Sequence, residues 1–302
     1  MVLEENYTLN NGVEIPKLGL GTWFINNTNV VGAVKSAIDL GYRHIDTAQA
    51  YRNEAGVGEG VRASGAKRED IFVTSKVDAG AKSYARAAKS IDRTLKATGL
   101  DYIDMMIIHS PQPWTSFRGE KRFFDENREV WRALEDATKA GKVRAIGLSN
   151  FEKDDLDNIL EVATVQPAVN QVLAHIGNTP FELIEYTQSK GILVEAYSPV
   201  AHGALLNNEA VKAIAAKYDV SVPQLSIRYC LQLGLLPLPK TANPAHMKSN
   251  AELDFVISDE DMETLNNVEP VTDYGDANMM PVYGGKMNLG TIFKMIFSSN
   301  RG

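Results

Sequence analysis

Gly41-Tyr-Arg-His-Ile-Asp-Thr-Ala48 is a short run that ends on an acid, Asp46, and breaks into a loop carrying Tyr51. Two later runs end the same way. Ile71-Phe-Val-Thr-Ser-Lys76 closes on a lysine, and Ile103-Asp-Met-Met-Ile-Ile-His109 closes on a histidine. Short apolar runs between turn signals read as buried strands. Polar groups at the ends of consecutive strands converge on one mouth when the strands form a parallel barrel. Such a mouth would hold an acid, a charge that tunes it and an imidazole that positions a substrate.

The same alternation extends along the chain. Strands are predicted near 18–21, 44–47, 71–76, 103–109, 145–149, 168–172, 193–198 and 235–239. Helical patterns fall near 28–40, 54–64, 83–98, 127–140, 154–161, 180–190, 222–233 and 244–253, with extra pieces near 208–218 and 259–267. This pattern argues an α/β protein with a (β/α)8 TIM barrel. An open doubly wound sheet would carry a Gly-rich turn after its first strand. Gly19-Leu-Gly-Thr-Trp23 does not continue into one. An N-terminal β-hairpin is expected from Tyr7-Thr-Leu-Asn-Asn-Gly-Val-Glu-Ile15, with Asn11-Gly12 in a type I′ turn. Residues 1–302 are expected to form one domain. Within it, 268–302 reads as a C-terminal loop and tail over the mouth. Its last apolar stretch, 289–297, is expected to cover the mouth or make a subunit contact.

Composition narrows the function. The 302 residues are 44% hydrophobic and 23% charged, an ordinary globular balance. A net charge of −7 and the lack of a basic stretch disfavour nucleic acid as a partner. Met1-Val-Leu-Glu-Glu-Asn6 lacks the regions of a signal peptide, and no apolar run reaches membrane-spanning length. A cytoplasmic protein without a membrane partner is expected. The single cysteine, Cys230, excludes an internal disulfide framework and reads as a buried structural thiol. No metal cluster is evident.

Tyrosine titrates near 10, so it needs help to act near neutrality. Lys76 is expected to lower the Tyr51 pKa by favouring phenolate, with Asp46 holding Lys76 in place and charged. Tyr51 would then donate a proton to a carbonyl oxygen, and a neutral His109 would fix that oxygen's direction. The set contains no activated Ser or Cys, so it suits an oxygen that receives charge from elsewhere. A hydride from a nicotinamide is the obvious source. Singly, each residue has an ordinary explanation: a turn cap, loop packing, a surface lysine, a core histidine. Together at the ends of consecutive strands they favour function.

At this point the chain resembles the aldo-keto reductases, NADPH-dependent (β/α)8 carbonyl reductases. The resemblance rests on 41–48 with Tyr51-Arg-Asn-Glu-Ala-Gly-Val-Gly58, Val73-Thr-Ser-Lys76, Ile107-Ile-His-Ser-Pro111 and Ala145-Ile-Gly-Leu-Ser-Asn-Phe151. It continues through Asn170-Gln-Val172, Ala196-Tyr-Ser-Pro199 and Leu238-Pro-Lys-Thr241, in family order over roughly 15–255. It implies that Tyr51 is the general acid, completed by Asp46, Lys76 and His109. It implies that Ser149, Asn150 and Gln171 hold the nicotinamide carboxamide, and that Tyr197 stacks on the ring. Thr22 and Asp46 would meet the ribose, and Ser198, Pro199 and Val200 the pyrophosphate. Lys240 and Thr241 would take the 2′-phosphate and Asn250 the adenine. The implied cofactor is NADPH/NADP+, with NADH as the alternative, and the partner a small-molecule carbonyl compound. The protein would be a monomer or homodimer.

Several positions depart from the family. His246 stands where an arginine often grips the 2′-phosphate, and Ser249 replaces a frequent glutamate, so preference for NADPH is expected to weaken. Ala204 replaces an aspartate that helps clasp the pyrophosphate, so a looser belt is expected. Ser110 replaces a tryptophan and is expected to widen and polarise one pocket wall. Trp23, Phe24 and Trp114 are expected to supply apolar walls. Arg118, Lys121 and Arg122 read as a solvated cationic loop rather than as a draw for acidic substrates. Two rivals stand beside this reading: a redox-sensing subunit that only binds nucleotide, and a glycosidase built on Glu195 and a second acid.

Overall fold

The structure, a computed structural model, describes residues 1–287. An antiparallel hairpin, β1 (Asn6–Thr8) and β2 (Glu14–Pro16), precedes eight parallel strands. These are β3 (Leu20–Gly21), β4 (His44–Asp46), β5 (Phe72–Val77), β6 (Ile103–Ile108), β7 (Val143–Ser149), β8 (Val169–Leu173), β9 (Leu193–Tyr197) and β10 (Leu236–Leu238). Each pairs with its neighbour in chain order. At the seam the Gly21 amide donates to the Pro239 carbonyl at 3.0 Å, and Gly21 bridges to Lys240. Gly19 permits this approach, since a Cβ there would lie 2.6 Å from Leu238 and 2.7 Å from His44.

Helices α1 (Asn27–Asp39), α2 (Glu54–Ala63), α3 (Tyr84–Thr98), α4 (Phe124–Lys139), α5 (Lys153–Leu160) and α6 (Phe181–Ser189) return the chain between strands. After β9 come α7 (Glu209–Lys217) and α8 (Val222–Gln232), then α9 (Pro244–Ala251) and α10 (Asp259–Asn266) follow β10. Their starts follow from local chemistry. At α8, Ser221 and Gln224 form a reciprocal capping box, which satisfies backbone donors that the helix itself leaves unpaired.

Strand register aims the site. Side chains alternate between the two faces of a strand. In β6, Met105 and Ile107 pack inside the barrel, whereas Met106 and Ile108 pack under the helices. His109 continues the inward set. By the same count Asp46 on β4, Lys76 on β5, Ser149 on β7, Gln171 on β8, and Glu195 and Tyr197 on β9 point inward. Their outward neighbours Ile45, Val77, Leu148, Val172 and Ala196 pack outside.

The opposite end is plugged by the hairpin, whose Leu9 and Ile15 are buried with Phe72, Met105 and Leu236. Its turn is not type I′. The Gly12 amide donates to the Leu9 carbonyl at 2.8 Å, and in the loop only Gly12 has positive φ, +82°. A turn of this kind ends on one left-handed glycine, and so asks nothing unusual of Asn11. The stretch 289–297 lies outside the described residues, but 268–287 returns to the mouth, where Tyr274, Met280 and Tyr283 are buried.

Candidate active site

One cavity of about 910 Å³ opens at the C-terminal ends of the barrel strands. Lys76 lies beneath it, fully buried, and donates to Asp46 Oδ1 at 2.5 Å and to the Thr47 carbonyl at 2.8 Å. Its Nζ sits 4.8 Å from the centre of the Tyr51 ring. The His109 ring meets the Tyr51 ring edge-on, with centroids 5.6 Å apart. Tyr51 is held on its loop by neighbours that the strand pattern does not show. Asn53, buried, donates to the carbonyls of Thr22 and Ile25, both at 2.9 Å, and accepts from Thr47 Oγ1. Gln49 donates to the Ser90 carbonyl and accepts from the Asp78 amide. Arg52 takes a left-handed backbone, φ +57°, which turns the chain from Tyr51 into α2.

Electrostatics correct one expectation. Burial pushes the Tyr51 phenol above its ordinary value; the Lys76 ammonium pulls it back only in part, and the Asp46 charge adds to the rise. The phenol therefore keeps its proton at neutral pH and is a donor. Burial acts to lower Lys76, but Asp46 and Tyr51 outweigh it, so Lys76 stays above the ordinary lysine value and charged. Burial, with the Lys76 charge, holds His109 well below its ordinary value and neutral. Its Nδ1 is buried without a partner, so its cavity-facing nitrogen is the one that can serve a ligand.

Ser149, Asn150, Gln171 and Tyr197 line the cavity beside the tetrad. Ser149 Oγ donates to the Gln171 carbonyl at 2.9 Å. Asn150, with φ +61°, donates to the His109 carbonyl and accepts from the Tyr197 hydroxyl at 2.7 Å. Thr22 donates to the Asp46 carbonyl at 2.9 Å. Gln171 Nε2 donates both to Asp46 Oδ2 at 2.9 Å and to Glu195 Oε2 at 2.7 Å. Glu195 is fully buried and is not part of the cavity wall, so it cannot face a sugar as the glycosidase reading requires. Burial and the nearby Asp46 charge push its carboxyl up to about 7.

The far lobe of the cavity is lined by Ser198, Pro199, Val200, Lys240, Thr241, His246, Ser249 and Asn250. The near rim is aromatic. Trp23 stacks on Phe24 with centroids 4.1 Å apart and lies parallel to Tyr283 at 6.1 Å. Phe24 is 39% exposed in a left-handed backbone, φ +60°, a conformation that costs a bulky residue about 1 kcal/mol and so is imposed by its surroundings. Trp114 meets His109 edge-on at 5.1 Å. Tyr283 adds a link that the sequence did not announce. Its hydroxyl shares hydrogen bonds with Ser198 Oγ at 2.7 Å and His202 Nε2 at 2.9 Å. The C-terminal segment is thus tied to the 3-10 turn Ala201–Asn207, in which Ala204 packs against the second core cluster. Burial, with the Lys240 charge, pushes His202 down to about 4, so this link involves a neutral imidazole.

Ser110 does not widen the pocket. One residue beyond inward-facing His109, it points away, fully buried, with its carbonyl accepting from Lys82 and its hydroxyl from the Gln112 amide. The loop cations are paired rather than merely solvated: Arg118 with Glu152 at 3.3 Å, Lys121 with Glu126 at 2.8 Å and Arg122 with Asp155 at 2.9 Å. Cys230 is buried, and burial pushes its thiol up to about 12, which disfavours the thiolate. Among the described residues there is no cluster that could hold a metal ion, and no helix is long and apolar enough to cross a membrane.

Comparison with known proteins assigns this parallel barrel to a class of oxidoreductases. The model of the aldo/keto reductase family matches residues 17–270. The glyoxal reductase of Bacillus subtilis is 41% identical over 266 residues, covering 87% of this chain and 92% of that protein. The crystal structure of an aldo/keto reductase from Brucella melitensis superposes with a TM-score of 0.81 at 36% identity, over 88% of this chain and 99% of that one. A Bombyx mori aldo-keto reductase solved in complex with NADP superposes at 0.82 and 31% identity, over 91% and 95%. The chain belongs to the aldo/keto reductase family of oxidoreductases.

Proposed function

We propose that this protein reduces small-molecule aldehydes or ketones to alcohols with NADPH, NADH being the alternative donor, and that Tyr51 is the general acid. The observation that carries the reading is the Asp46–Lys76 ion pair at 2.5 Å, buried directly behind a phenol that faces the cavity. A buried ion pair is costly to maintain, and here its charge lies against the one group able to give up a proton.

The residues present fit a nicotinamide dinucleotide. Both N–H groups of the Gln171 amide are held by carboxyls, which leaves its carbonyl for a donor in the cavity. Ser149, Asn150 and Tyr197 stand beside it, and Lys240 supplies a cation at the far lobe. When bound, the nicotinamide supplies hydride to the carbonyl carbon. Tyr51 Oη gives its proton to the carbonyl oxygen as negative charge builds there, a contribution of about 10²–10⁴ in rate. Lys76 stabilises the phenolate left behind, Asp46 keeps Lys76 charged, and neutral His109 directs the oxygen by a hydrogen bond. The same phenolate serves as base for alcohol oxidation at high pH.

The rim of Trp23, Phe24, Trp114, Met280 and Tyr283 favours apolar and aromatic carbonyl compounds. Arg118, Lys121 and Arg122 are occupied by acids and do not recruit acidic substrates. His246 and Ser249 offer no planar guanidinium at the far lobe, so discrimination against NADH is modest. We read 1–302 as one cytoplasmic domain acting as a monomer or homodimer, without a nucleic-acid or membrane partner. The test is NADPH oxidation against a panel of aldehydes, followed by absorbance, with wild type and Tyr51→Phe. Turnover lost in the variant supports the proposal. Nucleotide binding without turnover across the panel would instead favour a sensor.

A further inference from the structure

Glu195 is a buried carboxyl beneath the cavity that the reaction above does not use. It is an expensive group to bury, yet its Oε1 has no partner, and its hydrogen bond is the one that Oε2 accepts from Gln171 Nε2 at 2.7 Å. Strand register sets the two residues side by side. Gln171 on β8 lies directly opposite Glu195 on β9, and both side chains face inward. The second hydrogen of the same amide nitrogen goes to Asp46 Oδ2 at 2.9 Å. An amide held between two carboxyl acceptors must turn its nitrogen to them and its oxygen away.

We propose that Glu195 is a positioning residue for the dinucleotide: with Asp46 it locks Gln171 so that only the Gln171 carbonyl, an acceptor, is offered to the cavity. The lock selects a ligand that brings an N–H donor there, such as the carboxamide of nicotinamide. It also joins the cofactor wall to the catalytic ion pair, because the residue that orients Gln171 on one side is the partner of Lys76 on the other. This inference rests on the cofactor reading above. Neither end requires Glu195 to touch a ligand.

The test compares two nucleotides by fluorescence titration: NADP+ and its 3-acetylpyridine analogue, whose acetyl group keeps a carbonyl but has no amide N–H. Wild type should favour NADP+ over the analogue by about tenfold, the effect of one buried hydrogen bond. In Glu195→Met the acceptor is lost, Gln171 turns freely, and the preference should fall to within about twofold. In Glu195→Gln an acceptor carbonyl remains, so the preference should stay near that of wild type. A residue of merely structural value would weaken both nucleotides together and leave their ratio intact. A ratio unchanged in Glu195→Met overturns the proposal. So does a ratio lost in Glu195→Gln, which keeps the test decisive if the Met variant does not fold. Wild type that binds both nucleotides equally overturns the Gln171 lock alone, whereas wild type that binds neither overturns the dinucleotide reading itself.

Discussion

The floor and the rim of the cavity are built by different rules. On the floor, Asp46, Lys76, Gln171 and Glu195 stand on strands, and their directions follow from the two-residue repeat of a closed parallel sheet. The Asp46 and Lys76 charges lie within hydrogen-bond distance of each other, and the Gln171 amide nitrogen is held between two carboxyls. At the rim, Phe24, Trp114, His202 and Tyr283 come from loops and from the C-terminal segment. They meet through ring contacts and shared hydroxyls. The floor can hold a proton in a defined place; the rim can change with the loops and decide what enters. Fixed chemistry beneath an adjustable entrance lets a barrel take varied substrates without rebuilding its core.

That contrast can be broken most sharply at Tyr51. Replacing it with Phe should reduce kcat/KM by about 10³, within the range of one general acid, while dinucleotide affinity changes little. A loss below tenfold would move the reaction off the floor. Lys76→Met should be nearly as severe, and in stability as well as rate. It leaves Asp46 buried without its cation, so urea unfolding should show a loss of about 3–5 kcal/mol. An unaltered midpoint would mean that the floor is not held by its charges.

A third test uses pH. Glu195 is raised from 4.5 to about 7 in the folded protein. Its contribution to stability is thus fully present below pH 4.5 and is lost as pH rises through 7, a swing on the order of 3 kcal/mol. Glu195→Gln cannot ionise, so it should be more stable than wild type at pH 8 and lose that advantage near pH 5. Parallel melting curves for the two proteins at both pH values would contradict this.

The smallest effect is expected at the rim. Tyr283→Phe removes the hydroxyl shared by Ser198 and His202, worth about 1 kcal/mol, so nucleotide should dissociate about fivefold faster in stopped-flow traces. Single-turnover hydride transfer should stay as in wild type. A slower chemical step in this variant would show that floor and rim are not separable.

Much of the floor could be read from the chain alone. Asp46, Lys76 and His109 each end an apolar run, and an inward-facing strand end is a local property of register. The eight strands and the hairpin follow from the same pattern. Ser110 differs from its expectation because alternation after His109 sends it away from the cavity, whatever residue a relative carries there. The turn at Asn11-Gly12 differs from type I′ because the dipeptide suits more than one loop length, and the loop is set by how β1 and β2 pair.

Sequence by itself determined the order of strands and helices and which strand ends carry polar groups. These depend on periodicities of two and 3.6 residues, which act between neighbours along the chain. Only the tertiary structure decided that burial would raise the Tyr51 phenol in spite of Lys76, that Gln171 would lie between two carboxyls, and that Tyr283 would reach Ser198 and His202. Each of these depends on groups tens to more than a hundred residues apart, placed side by side by ring closure and loop packing, and on the removal of water from between them. No local pattern in the chain records that proximity.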